Sequence, residues 1–160
     1  MTIQSSTFAG APTVAAGGDR AARNLRRVLF TNAATSGAAG LVLAILPQPL
    51  AALLVPDGGT LLGLSPAGWL QVVGLGLVAF AALVAVIAMP ARPRGGLVTA
   101  IVSADIAWVA GSALLLLFAG AALSWPAWIL VILVADMVAV FAWLQARFLR
   151  AGRTPEPMRA

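Results

Sequence analysis

The sequence predicts an all-α polytopic membrane protein, four transmembrane helices in an antiparallel bundle, and three observations carry that prediction. Of its 160 residues, 61% are hydrophobic and only 9% charged, whereas a soluble domain carries about 25% charged residues. So little polar surface cannot cover a core, and lipid must act as the solvent. Four apolar runs each hold roughly 20 residues, enough for about 30 Å of hydrocarbon. Finally, all ten basic residues are arginines, and they alternate with the runs. Arg20, Arg23, Arg26 and Arg27 precede the first run, Arg92 and Arg94 separate the second from the third, and Arg147, Arg150, Arg153 and Arg159 follow the fourth. The other two connections carry none. An in-out-in-out-in path puts every arginine on one face, which the positive-inside rule makes cytoplasmic, with both termini on that side.

The elements follow in order. Residues 1–22 are small and polar without periodicity and are expected to form a disordered tail. The basic cluster that follows resembles the start of a signal peptide. The apolar run from Val28 to Leu46 is longer than a usual signal core, however, and no small-x-small cleavage site follows it, so the first span, about 24–46, is expected to be retained. Pro47-Gln48-Pro49 stops it. Leu50 to Val55 is too short to span and is expected at the outer interface, followed by an Asp57-Gly58-Gly59 turn. Ser65-Pro66 opens the second span, about 66–89, with serine as cap and proline in the first turn; Trp69 sits at belt height. Arg92-Pro93-Arg94-Gly95-Gly96 turns the chain into the third span, about 97–118. Gly120 to Leu123 turns it back. Ser124-Trp125-Pro126-Ala127-Trp128 opens the fourth span, about 125–149, with the same cap-proline-tryptophan order, and 151–160 forms a C-terminal tail. The shared opening raises a duplicated hairpin, but the rest of the two halves aligns poorly, and similar interfacial needs account for the likeness.

Composition closes most chemistry. The chain has no Cys, His, Lys or Tyr, which removes disulfides, thiolate chemistry, histidine-held haem or zinc, Schiff-base lysines and histidine bases. No metal, cofactor or enzymatic activity is expected. The net charge of +5 does not signal nucleic acid, because the arginines flank apolar runs as juxtamembrane anchors and no soluble domain presents them. They suit anionic inner-leaflet lipid. Arginine without lysine, with abundant alanine and glycine, is the usage of a high-GC bacterial genome, which points to a bacterial inner (plasma) membrane.

Helical phase at 100° per residue assigns the faces. On the third span Val102, Ile106, Val109, Ala113 and Leu117 are expected to meet lipid. Ser103, Ala107 and Gly111 form a small-residue stripe that suits close helix approach, as do Ser36, Ala39 and Gly40 beside Asn32 on the first span. Asp105 and Asp136 are the only ionisable groups deep inside the apolar runs. An aspartate at a helix centre costs about 2.5–3.5 kcal/mol on the insertion scale, so each needs a partner or a purpose. Trp125, Ile129, Ile132, Asp136 and Trp143 share a face of the fourth span. If that face meets Asp105, two like charges in low dielectric would hold one proton between them, as a proton relay does. A structural hydrogen bond is built the same way, with Asn32, Ser36 and Ser112 as further partners.

Several short strings carry a resemblance: Ser36-Gly37-Ala38-Ala39-Gly40-Leu41, Leu50 to Leu54, Gly74-Leu75 with Phe80-Ala81-Ala82, then Ala107-Trp108-Val109 with Ser112 and Leu114 to Leu117, then Phe141-Ala142 and Gln145. Over most of residues 25–150 the chain resembles a family of small, uncharacterised bacterial four-helix integral membrane proteins, similar to DoxX-like proteins in size and helix count. The resemblance implies the fold and no catalytic residue. Its members often carry Asn at the Asp105 position and no acid at Asp136, which argues against an obligatory two-carboxylate mechanism. The expected function is therefore an accessory or structural membrane protein acting by helix–helix contact with itself or a membrane partner. The alternative is a proton-coupled small-molecule transporter or channel using Asp105 and Asp136. A membrane enzyme ranks third, since no nucleophile–base pair can be composed.

Overall fold

The computed structural model describes residues 12–56, 58–60 and 62–152; residues 1–11 of the expected N-terminal tail, Asp57 of the expected turn, and Arg153 and Arg159 lie outside them. The described residues form an all-α polytopic membrane fold. Five α-helices follow one another: α1 (Pro12–Ile45), α2 (Pro47–Leu54), α3 (Pro66–Ala88), α4 (Gly95–Ala119) and α5 (Trp125–Ala151), with a short 3-10 turn, Gly120–Ala122, before α5. Four are long and apolar enough to cross a membrane: α1 from Gly17, α3, α4 with its 3-10 extension, and α5.

Local chemistry sets the boundaries. Ser65 caps α3, its Oγ accepting from the Gly68 N–H at 3.2 Å, and Ser124 caps α5, accepting from Ala127 at 3.4 Å. Each is followed by a proline in the first turn, where its missing N–H needs no partner. Pro47 and Pro49 both end α1 and begin α2, so the interfacial stretch between prolines is a two-turn helix. It buries Ala51 and Leu54, and the Leu54 carbonyl accepts from the Ser124 N–H at 2.9 Å. Gly120 gives room for Trp128, whose indole N–H donates to the Gly120 carbonyl at 2.9 Å; a Cβ on Gly120 would lie 2.4 Å from that ring.

The first helix departs from expectation. It begins at Pro12, not near Asn24, so residues 12–22 are helical and not part of a tail. Hydropathy marks only the lipid-buried part of a helix, and this one continues into water because its polar end has partners. Ala21 and Leu25 are buried, and the Asp19 carboxylate accepts from Arg92 Nη2 at 2.7 Å. Arg26 donates to the last carbonyls of α3, Ala88 at 3.0 Å and Met89 at 3.3 Å. A cation there satisfies orphan acceptors and complements the negative end of the helix dipole. These contacts bring the start of α1, the α3–α4 turn and the end of α5 together, so the eight described arginines gather at one end of the bundle.

Two hairpins make the bundle. The first pairs α1 with α3 at backbone contact: a Cβ on Gly40 would lie 2.7 Å from the Gly74 carbonyl oxygen, and one on Gly74 would lie 2.6 Å from the Ala44 nitrogen. The second pairs α4 with α5, and α1 meets α5 to join them. Although a short turn links α3 to α4, those two helices barely touch, because α3 gives its close-packing face to α1. The small-residue face of α4 also differs from expectation. Its buried positions are Val98, Ile101 and Asp105, while Ser103, Ala107 and Gly111 are exposed and nothing lies within 4 Å of a Cβ built on Gly111. Only Gly40 of the two expected small-residue stripes meets another helix at backbone distance.

Candidate functional site

Among the described residues three polar side chains are buried in the bundle: Asn32 and Gln145 at 0% exposure and Asp105 at 3%. They come from α1, α5 and α4. Each occupies the inward phase of its helix beside apolar core positions: Asn32 between Leu29 and Ala33, Asp105 one turn after Ile101, Gln145 seven residues after Val138. The Asp105 carboxylate is the hub. Its Oδ2 accepts from Asn32 Nδ2 at 3.0 Å and from Gln145 Nε2 at 3.1 Å. The Asn32 side-chain oxygen in turn accepts from Ser36 Oγ at 3.1 Å. This chain of bonds crosses three spans, so a group that would be expensive in hydrocarbon is satisfied by two amide donors. Two buried atoms beside it have no partner among the described residues, the Gln145 Oε1 acceptor and the Trp108 Nε1 donor.

The structure thus unites three of the five expected polar residues, Asp105, Asn32 and Ser36. Ser112 does not join them; its hydroxyl donates to the Trp108 carbonyl on its own helix at 2.9 Å. Asp136 does not join them either. It is exposed on α5, nine residues from Gln145, which is half a turn out of phase and about 13 Å along the axis. Since Gln145 touches Asp105, the two carboxylates are remote. The face with Trp125, Ile129, Ile132 and Trp143 points outward with Asp136, and the inward face is that of Ala127, Val138 and Gln145. The physical reason is that lipid is as apolar as the bundle interior, so an apolar face carries no label saying which it meets. Gln145 is the site residue that the sequence conceals. It stands two positions before Arg147, where a polar side chain reads as interfacial, yet its phase with Ala127 and Val138 marks it as inward.

Where α3 and α4 splay apart, a cleft of ≈ 290 Å³ opens, bordered by all four spans. Asp105 and Ser36 supply its polar floor, Phe80 and Trp108 its aromatic walls, and Gly76 leaves its α3 side open. Both amide bonds to Asp105 fall on Oδ2, so Oδ1 is left for an occupant. Among the described residues no other ionisable side chain lines the cleft, and no group of three or more metal-binding side chains is present.

Fold and site together define a small multi-pass membrane protein of four apolar spans with one buried polar centre. Comparison with known proteins finds no matching family model, curated protein or solved structure.

Proposed function

We propose that this chain is an accessory or structural protein of the bacterial inner (plasma) membrane, both termini cytoplasmic, acting through helix–helix association with a second copy or a membrane-protein partner. The observation that carries this reading is Asp136. It lies eleven residues from Trp125 and eleven from Arg147, at the middle of α5, and is exposed. In the single chain that carboxylate faces lipid, a placement costing about 2.5–3.5 kcal/mol on the insertion scale. A neighbouring helix that supplies a hydrogen bond removes the cost. The exposed Ser103, Ala107 and Gly111 stripe of α4 offers a second surface suited to close approach. Orientation rests on the arginines, whose clustering at one end matches the positive-inside rule and suits anionic lipid. Likeness to small four-helix, loosely DoxX-like proteins agrees in size and helix count alone.

The test is association in lipid. Subunit counting by single-molecule photobleaching, with pull-down from native membranes, should show a dimer or a defined complex that Asp136→Leu weakens. A chain that stays monomeric and partner-free, with the variant behaving identically, rejects the proposal.

A second reading has one specific support. The cleft that opens on Asp105 favours a small-molecule carrier or channel working with Asp105 alone. A relay through two carboxylates has no such support, because Asp136 is remote.

A further inference from the structure

The geometry points to the cleft between α3 and α4 as a binding site for a small lipophilic amine cation, paired with the Asp105 carboxylate and entered sideways from the bilayer.

Charge is the first argument. Asp105 is held by two neutral amides, and no cation among the described residues reaches it. Arg147, two residues beyond Gln145, points elsewhere: its guanidinium lies over the Trp143 ring at 5.3 Å, on the outward face. A carboxylate in a low-dielectric cleft without a counter-ion attracts a cation strongly, because buried charges are stable only when paired. A neutral guest gains none of this.

Room and walls give the rest. The volume of ≈ 290 Å³ is about twice that of an apolar cavity of ~150 Å³ that takes one benzene, which suits a body of roughly ten to fifteen non-hydrogen atoms. The lining is otherwise almost wholly apolar, with the Phe80 and Trp108 rings available to an ammonium group. Access is lateral, since α3 and α4 barely touch and an amphiphile concentrates in the bilayer beside that gap. Binding alone is inferred, whether or not transport follows, and it is independent of association through Asp136.

The experiment uses full-length protein in nanodiscs, with empty nanodiscs as the partition control. Equilibrium dialysis compares 4-phenylbutylamine with its neutral counterpart 4-phenylbutanol. The amine should bind at least about tenfold more tightly than the alcohol. Asp105→Asn, which keeps the shape and the acceptor oxygen, should bring the amine to the level of the alcohol. Gly76→Leu, placed where nothing lies within 4 Å of a new Cβ, should fill the cleft and abolish binding of both without disturbing the fold. Equal binding of amine and alcohol, amine binding no greater than to empty nanodiscs, or amine binding unchanged in folded Gly76→Leu overturns the assignment. Should Asp105→Asn fail to fold, the amine-to-alcohol ratio and Gly76→Leu still decide it.

Discussion

A single carboxylate oxygen holds three spans together, and its chemistry predicts how substitutions at Asp105 will differ. Asparagine can present its own oxygen to Asn32 and Gln145, so Asp105→Asn should lower stability by less than about 1 kcal/mol. Leucine strands both amides; at roughly 1 kcal/mol for each interhelical bond, Asp105→Leu should cost about 2 kcal/mol. Gln145→Leu should fall between, since Asn32 keeps its acceptor. Thermal unfolding in detergent with a bilayer steric-trap measurement reads these values, and an Asn variant as unstable as the Leu variant would show that the charge itself is needed. Much of this centre is legible in the sequence, because Asn32, Ser36 and Asp105 stand out deep within apolar runs. Gln145 is masked by its nearness to arginines. Asp136 misleads in the opposite direction, since an acid in a span invites an inward assignment that helical phase alone does not support.

Helices in lipid disclose their length more readily than their facing. The four spans and their Ser-Pro and Ser-Trp-Pro starts follow from hydropathy and capping, and the observed ends fall within two residues of those read from sequence except at the start of α1. That exception is also physical: the extra turns are stabilised by Asp19–Arg92 and by buried Ala21 and Leu25, contacts with distant sequence that no local pattern records. Facing is harder, and the glycines show why. Gly40, Gly74 and Gly111 look alike in sequence, but only the first two meet a neighbouring backbone. Gly40→Val and Gly74→Val should each destabilise the chain by about 1–3 kcal/mol through overpacking. Gly111→Val should leave unfolding of the isolated chain within about 0.5 kcal/mol of the parent. Equal effects at Gly74 and Gly111, measured by thermal unfolding of the monomer, would contradict the packing described. Cap removal is a separate test: Ser65→Ala should cost about 1 kcal/mol, read in the same assay.

The whole molecule is an arginine-anchored bundle, and its orientation is directly testable because the chain contains no cysteine. A single Thr60→Cys should react with a membrane-impermeant maleimide added outside intact cells, and Gly96→Cys should react only after permeabilisation. The reverse pattern would invert the topology. The order of the hydrogen bonds has a further consequence, for biosynthesis. The α1–α3 glycine contact joins consecutive spans and can form as soon as α3 has been made. Asn32, by contrast, must wait 73 residues for Asp105, and Asp105 another 40 for Gln145. At about 5–20 residues per second, the polar lock closes roughly 6–23 s after Asn32 emerges. Nascent chains arrested before α5 should therefore carry an Asp105 that lacks one of its two amide donors and is reactive toward any polar helix nearby, detectable as cross-links that vanish once Gln145 is made. Of the four described spans, the latest made is thus the one that completes the centre begun by the first.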